Sequence, residues 1–235
     1  MATTRLMPLH VGKGRDVSTA IADIIDYVEN PQKTDFGKFI YGYECDTRIA
    51  DAEFLLSKQQ YKFCFHTPLL ADENSAFYKE TENRVSIFTN YPCIRQHATF
   101  DAYTSLCVEL ETERGNLLVY GTIIGIYGNR HPSFQKDLEK QVADLHGLAR
   151  KGDGLCFSGD YNCSFADNYY FTKAGREILT GSLEKNGLCL LTKAQGECID
   201  HIAVSKRFLA AGSTQVEEWN VDKRLSDHKG ILVDF

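Results

Sequence analysis

The sequence lacks the features that would tie it to a membrane or send it out of the cell. No stretch reaches the ~18 consecutive apolar residues that a membrane-spanning helix needs. The opening residues, MATTRLMPLHVGKGR, have no apolar core of the kind found in signal peptides. Internal repeats and low-complexity segments are also absent. A cytoplasmic protein that does not contact a membrane is therefore expected.

Basic charge is also scarce. The 235 residues carry a formal net charge of −6, and the sequence pI is about 5.7. This balance does not indicate a strongly basic groove for nucleic acid. A nuclease with this charge would need a bound cation or a local basic strip to hold phosphate. The length fits one large α/β domain, or one domain with a short appendage.

The eight cysteines include no C-x-x-C pair, so a structural zinc site is not expected. Their even number is compatible with disulfides. In a chain of this length with no signal peptide, however, buried thiols are the better interpretation. They are Cys45, Cys64, Cys93, Cys107, Cys156, Cys163, Cys189 and Cys198.

The hydrophobic pattern divides the chain into two parts. The first sixty residues predict the order β-α-β-α, with strands at 4–10 and 38–44 and helices at 18–29 and 50–61. After about Lys62 strand patterns dominate, and helices are expected only at 134–150 and 172–186. Many strands with few helices between them favour a two-layer β core with flanking helices. The predicted strands of this part are 61–66, 75–80, 84–91, 103–111, 116–128, 155–162, 198–205, 214–221 and 230–235.

Three polar motifs lie at or near the ends of predicted strands. Residues 158–162, SGDYN, follow an apolar strand, Asp200 interrupts the strand CIDHIAVS, and residues 226–228, SDH, precede the last strand. A carboxylate inside an apolar strand is costly unless it has a partner. An aspartate beside a histidine places a metal-compatible oxygen next to a titratable base. The motifs therefore predict one shared catalytic pocket.

In their order and approximate spacing, these motifs resemble the endonuclease/exonuclease/phosphatase family. Its G-D-x-N motif matches residues 159–162, with Tyr161 where Phe or Leu is usual. Its strand aspartate matches Asp200, and its S-D-H motif matches residues 226–228. The segment RVSIFTNYP, residues 84–92, is similar to a family strand that usually ends in Ser-x-x-Pro. The resemblance covers roughly residues 61–235.

The resemblance implies a four-layered α/β sandwich that hydrolyses phosphoesters with Mg²⁺ or Mn²⁺. Asp160 would position or deprotonate the attacking water, and Asn162 would orient the water and the phosphate. His228, held by Asp200, would either bind a phosphoryl oxygen or act as base, and both roles stay open. Asp160 and Asp227 would bind the metal, since hard divalent ions prefer carboxylate oxygens.

A second group of candidates follows the long strand at 116–128. Asn129 matches a position from which the family often supplies a phosphate contact, and Arg130 could add a donor. For Arg130 and His131 a solvated loop is an equally good explanation. His201 should point away from Asp200, because neighbouring strand residues face opposite sides, and we interpret it as structural. The stretch DNYYFT, residues 167–172, could stack on a base, although packing under a loop is the simpler interpretation.

The opening of the family domain is not recognisable. Family members usually begin with a strand that ends in Trp-Asn and a second strand that ends in a metal-binding Glu. Residues 2–61 instead resemble the start of a relaxase, through TTRLMPLHVGKGR, IADIIDYVENP, CDTRIADAEF and SKQQY. A relaxase needs a histidine cluster, yet no H-x-H pair exists and this part contains only His10. We therefore expect a relaxase-like fragment at 1–61 and an N-terminally truncated phosphoesterase domain at 62–235, in which Glu44 could replace the lost metal ligand.

Three functions are compatible with these features. The first is a Mg²⁺-dependent phosphoester hydrolase, with nucleic acid as the favoured substrate. The second is a catalytically impaired remnant that binds phosphate or nucleic acid. The third is a DNA-binding mobilisation-related protein. The sequence does not identify the substrate, protein partners or the oligomeric state.

Overall fold

The computed structural model describes residues 5–10, 39–48, 61–68, 82–151, 153–209, 214–223 and 227–235. These residues form twelve strands, two α-helices and one 3-10 helix, Lys206–Phe208. The helices are α1, Phe134–Leu148, and α2, Lys173–Lys185. The strands are β1 Arg5–His10, β2 Phe39–Arg48, β3 Phe63–His66, β4 Glu82–Thr89, β5 Cys93–His97, β6 Ser105–Thr112, β7 Gly115–Ile123, β8 Gly154–Asp160, β9 Leu188–Leu190, β10 Asp200–Ser205, β11 Gln215–Trp219 and β12 Gly230–Asp234.

The strands form two six-stranded sheets. The first sheet has the order β11-β12-β1-β2-β4-β3, and the second has the order β5-β6-β7-β8-β10-β9. In the first sheet, β1 runs parallel to β2 and antiparallel to β12. In the second, β7 and β8 are parallel and α1 lies between them in sequence. The opening segment therefore contributes two strands to the same sheet as β4 and β12.

One apolar core lies between the sheets and a second lies under the helices. Strand β7 shows why: Leu117 and Val119 belong to the first core, whereas Leu118 and Tyr120 belong to the second. Successive strand residues point to opposite faces, so a strand buried on both sides reads as a continuous apolar run. The second core is completed by residues of both helices, among them Phe134, Leu138, Leu145, Leu179 and Leu183. The described residues thus form a layer of helices, a sheet, a core and a second sheet.

Four buried thiols divide between these two cores. Seven of the eight cysteines are free thiols, as the sequence predicts. Cys156 and Cys198 lie in the core between the sheets, and Cys107 and Cys163 lie in the core under the helices. Burial raises the pKa of all four thiols above its usual value. At neutral pH these side chains are therefore protonated and behave as small apolar groups.

Most predicted elements of the described residues are confirmed, with ends shifted by a few positions. Helix α2 ends one residue before the predicted end at 186, and Gly187 follows with a φ of 66°. Two strands were missed, β5 and β9. The predicted helices at 18–29 and 50–61 and the strand at 75–80 lie outside the described residues. No helix in the described part of the chain is long and apolar enough to cross a membrane.

The second core predicts how α1 contributes to stability. Leu138 has no exposed surface, while Leu190 packs against the same core but is only partly buried. Leu138→Ala should lower the free energy of unfolding by about 2–5 kcal/mol, because it removes a buried side chain and leaves a cavity. Leu190→Ala, the matched control, should cost clearly less. Urea unfolding of both variants measures the difference, and equal losses would contradict the assignment of α1 to this core.

Candidate active site

Two buried carboxylates meet at the ends of neighbouring strands. Strand β8 ends at Asp160 and β10 begins at Asp200, and the two residues are direct cross-strand partners. They are 7% and 2% exposed. Side chains directly opposite in an antiparallel pair lie on the same face, about 4.5–5.5 Å apart at Cβ. The sequence predicted that both would enter one pocket, and the strand register brings them together.

The glycine of the G-D-x-N motif is needed for close packing of strands. Gly159 has a φ of 133°, in the region where side chains are disfavoured. A Cβ atom at this position would lie 2.0 Å from the carbonyl oxygen of Thr122 on β7. Any larger residue would push β7 and β8 apart. Gly159 thereby sets the position of Asp160 at the end of its strand.

Asn162 holds the carboxylate of Asp160 in place. Its backbone N–H donates to Asp160 Oδ1 at 2.5 Å, and its side-chain amide donates to Asp160 Oδ2 at 2.9 Å. The same amide donates to the carbonyl of Ile124 at 3.0 Å. Asn162 adopts a φ of 47°, which Asn tolerates better than most residues. The amide thus fixes the orientation of Asp160 relative to the loop after β7.

His228 approaches the carboxylates from the other sheet. It lies just before β12 of the first sheet, and its Nδ1 is 2.7 Å from Oδ2 of Asp200 in the second sheet. Its carbonyl accepts from the side-chain amide of Asn220 at 2.6 Å. The His228–Asp200 pair therefore joins the two sheets at one end of the core.

The charges of the pocket depend on one another. Burial raises the pKa of Asp160 to about 7; Asp200 and Asp227 add to the rise, and His228 opposes it. Burial alone would lower the pKa of His228, but Asp200, Asp160 and Asp227 outweigh it and raise the pKa to about 10. At neutral pH His228 is thus an imidazolium that compensates the carboxylates.

Asn129 joins this cluster and Arg130 does not enter it. The Asn129 amide donates to the carbonyl of Asn162 at 2.8 Å, and its Oδ1 is buried with no hydrogen-bond partner among the described residues. Arg130 is exposed on the same loop. Asp227 is exposed beside His228, and Ser226 lies outside the described residues. Asn129 therefore anchors the loop after β7 to Asn162 in the cleft wall.

His201 is structural, as its position in the strand predicted. It is fully buried, with Nε2 2.9 Å from the carbonyl oxygen of Cys163 and Nδ1 2.9 Å from the hydroxyl of Thr192. The carbonyl can only accept, so Nε2 carries the proton and Nδ1 accepts from Thr192. Burial lowers the pKa of His201 to about 4. The ring is thus neutral in the folded protein.

The cluster opens into a cleft of about 320 Å³. Sequence reasoning missed several residues of its wall, because they come from loops that are distant in the chain. The wall consists of Asn162, Tyr169, Tyr170, Glu197, Ile199, Asp200, Lys223, Asp227, His228 and Lys229. Tyr169 and Tyr170 belong to the aromatic stretch that the sequence analysis noted. The cleft is large enough for a phosphate group and part of its substituent.

The cleft and its surroundings contain carboxylates that could bind a divalent cation. Within the described ranges, no group of three or more His, Cys, Asp or Glu side chains is arranged to hold a metal. Mg²⁺ commonly uses only one or two carboxylates together with water and substrate oxygens. Asp160 and Asp227 are close enough for Asp227 to raise the pKa of Asp160. Both carboxylates are donors of the type that Mg²⁺ prefers.

Comparisons with known proteins identify the fold. No family model matches the sequence, and no curated protein matches it. The chain is similar in structure to the 3′ phosphatase NExo from Neisseria bound to a product DNA hairpin, with a TM-score of 0.69, 13% identity and 98% of both chains covered. It is also similar to an AP endonuclease from Archaeoglobus fulgidus, with a TM-score of 0.67, 13% identity, and 99% of this chain and 98% of that chain covered.

A third similar structure is an endonuclease/exonuclease/phosphatase from Beutenbergia cavernae. Its TM-score is 0.67 at 14% identity, and the match covers 100% of this chain and 71% of that one. The three likenesses agree on the architecture. The chain therefore has the endonuclease/exonuclease/phosphatase fold, as its motifs predicted.

The neutral state of His201 predicts a pH dependence of stability. Because its pKa in the folded state, about 4, lies below the usual 6.5, protonation favours the unfolded chain as the pH falls through this window. Lowering the pH from 7 to 5 should cost about 2 kcal/mol through this residue. His201→Gln keeps a donor and an acceptor but does not titrate. Urea unfolding at both pH values should therefore show a smaller pH effect in the variant, and an equal effect would contradict the prediction.

Proposed function

We propose that this chain is a divalent-metal-dependent phosphoester hydrolase of the nuclease type. The observation that carries the proposal is that Asn162, Asp200 and His228 line one cleft between the two sheets. Asp160 is hydrogen-bonded to Asn162 and is the cross-strand partner of Asp200. The site thus contains a carboxylate held by an amide, and an imidazole held by a second carboxylate. These are the groups needed to activate water and bind a phosphoryl group. Solved structures with this fold include a 3′ phosphatase and an AP endonuclease, an analogy that agrees with this class of reaction, while the site residues carry the argument.

Each side chain has a role that follows from its contacts. Asp160, held by Asn162, orients a water molecule and accepts its proton as the water attacks phosphorus. His228 is cationic because of the neighbouring carboxylates, so it donates a hydrogen bond to a phosphoryl oxygen. Asp200 fixes the orientation of the imidazole through Nδ1. This division favours phosphate binding by His228 over the role of general base.

A divalent cation would complete the cleft. Asp160 and Asp227 would hold Mg²⁺ or Mn²⁺ there, and the ion would stabilise charge on the phosphoryl group and acidify water. Asn129 and Arg130 would then contact the substrate. Of these two, Asn129 has the firmer position, because its amide is anchored on the carbonyl of Asn162, a residue of the cleft wall.

Strand β2 offers a candidate for a further metal ligand. The backbone of Glu44 pairs with His10 on β1 and Val85 on β4. Strand β1 runs antiparallel to β12, so its C-terminal end lies beside the start of β12, just after His228. Glu44 is therefore at the same end of the first sheet as His228. We propose Glu44 as the replacement for the family glutamate. The relaxase-like origin of residues 1–61, and their division from residues 62–235, are likewise proposals.

The hydrolase proposal predicts that two substitutions abolish activity. Asp160→Asn and His228→Ala should each lower kcat/KM for bis(4-nitrophenyl) phosphate and for plasmid DNA by about 100-fold or more, because each removes a group needed in the transition state. Chelation of Mg²⁺ or Mn²⁺ should abolish activity in the unaltered chain.

Two matched controls remove the same chemical groups elsewhere. Asp153 is exposed and accepts from the backbone of Asn116, and His146 on α1 bonds Asn186. Asp153→Asn and His146→Ala should retain activity. An equal loss of activity in the control variants and the site variants would contradict the proposal. A folded chain with no metal-dependent activity would also contradict it and would favour a remnant that binds nucleic acid without cutting it.

The role of Glu44 is tested through metal affinity. Glu44→Gln should raise the Mg²⁺ concentration that gives half-maximal activity by about tenfold or more, because a carboxylate ligand is lost. Asp153→Asn again serves as control and should leave this concentration unchanged. An unaltered Mg²⁺ requirement in Glu44→Gln would exclude Glu44 as a ligand and leave the other roles intact.

A further inference from the structure

One wall of the cleft carries an aromatic ring that the protein leaves half-exposed. Tyr169 is 51% exposed and lines the same cleft as Asn162, Asp200 and His228. The interpretation that this aromatic stretch packs under a loop is therefore wrong for Tyr169. An exposed ring beside a polar cluster offers a flat apolar surface that a ligand could cover.

The loop that carries Tyr169 is fixed by hydrogen bonds. Asp167 accepts from the backbone N–H of Tyr169 at 3.0 Å and from that of Glu197 at 2.7 Å. These two bonds lower the pKa of Asp167, so its carboxylate is charged at neutral pH. Ser164 and Tyr170 exchange two further hydrogen bonds across the loop. The ring is thus positioned before any ligand arrives, which reduces the entropic cost of binding.

A cation lies over one face of this ring and also bonds its hydroxyl. The ammonium of Lys223 is 3.0 Å from the Tyr169 hydroxyl and 4.8 Å from the ring centre. Lys223 itself has a φ of 54°, a backbone conformation that side chains rarely adopt and that often marks functional positions. Aromatic rings next to basic side chains are the combination that holds bases and phosphates of single-stranded nucleic acid.

The aromatic surface continues onto the loop after β7. The hydroxyl of Tyr170 accepts from the backbone N–H of Asn129 at 3.3 Å, so the two loops touch. On the second loop Tyr127 is exposed and its ring lies 4.9 Å from that of His131. Exposed aromatic groups therefore lie on two loops that touch each other.

We propose that the cleft takes an unpaired nucleotide, whose base stacks on Tyr169 while its phosphodiester reaches Asp160 and His228. This inference rests on the proposed hydrolase function and specifies its substrate as a single-stranded end or a short oligonucleotide. Inside a duplex both faces of a base are covered by neighbouring bases, so the stack on Tyr169 could form there only on a terminal pair, which cannot bend its phosphodiester into the cleft without opening. The net charge of −6 also disfavours a binding mode that relies on many phosphate contacts.

The test compares two ligands with the same number of phosphates. One is a short fluorescein-labelled single-stranded oligothymidylate, and the other is the same backbone built from base-free tetrahydrofuran units. Binding is measured by fluorescence anisotropy with Ca²⁺ in place of Mg²⁺, so that a divalent cation is present while cleavage is suppressed. The unaltered chain should bind the base-containing strand about tenfold or more tightly than the base-free one, as expected for one stacked base.

Substitutions assign this preference to the ring. Tyr169→Ala should reduce the preference by about tenfold, whereas Tyr169→Phe, which keeps the ring and loses only the hydroxyl, should preserve most of it. Tyr103→Ala is the matched control, since Tyr103 is 45% exposed but does not line the cleft. It should leave the preference unchanged. A preference that persists in Tyr169→Ala, or is equally lost in Tyr103→Ala, overturns the proposal.

Two further measurements separate this proposal from the hydrolase function. A blunt duplex should bind more weakly than the single strand, and equal or tighter binding of the duplex overturns the role of an unpaired base. With Mg²⁺, the ratio of kcat/KM for the two ligands should fall in Tyr169→Ala. Cleavage of both ligands with an unaltered ratio refutes stacking and leaves the hydrolase intact. Binding that depends on Tyr169 without cleavage of either ligand refutes the hydrolase and supports the stacking surface.

Discussion

The ion pair between Asp200 and His228 is the interaction on which the site depends. Asp160 and Asp200 are buried side by side, and an uncompensated buried carboxylate costs several kcal/mol. The compensating imidazolium comes from the other sheet. The carboxylates are therefore tolerated only when the sheets are packed together. Folding and assembly of the site are in this sense a single event.

Strand β10 shows how one short segment serves both stability and chemistry. Asp200 faces the seam between the sheets, where charge is compensated, and His201 faces the core under the helices, where the ring is neutral. Because strand side chains alternate, the two titratable neighbours lie in different environments, one where a charge is compensated and one where the neutral form is favoured. Adjacent residues with opposite roles are thus a direct result of strand geometry.

The motifs and the regular elements were predictable, whereas the wall of the cleft was not. Buried strands such as β7 and β8 carry long apolar runs. Gly159 to Asn162 lie at the end of one such run, so the sequence alone was enough to place this motif at a strand end. Strand β5 has mostly exposed residues and β9 has only three, so neither produces a pattern. Tyr169 and Lys223 are 54 positions apart and meet only through loop geometry, which sequence spacing does not encode.

The division of the thiols between two cores gives the chain a built-in set of reporters. Cys156 and Cys198 become reactive only when the sheets part, and Cys107 and Cys163 only when the helices leave the second sheet. Their high pKa values suppress modification in the closed state. An alkylating reagent followed by peptide mass analysis would consequently distinguish two modes of local opening without any engineered label. The native cysteines thus make it possible to observe which of the two cores opens first.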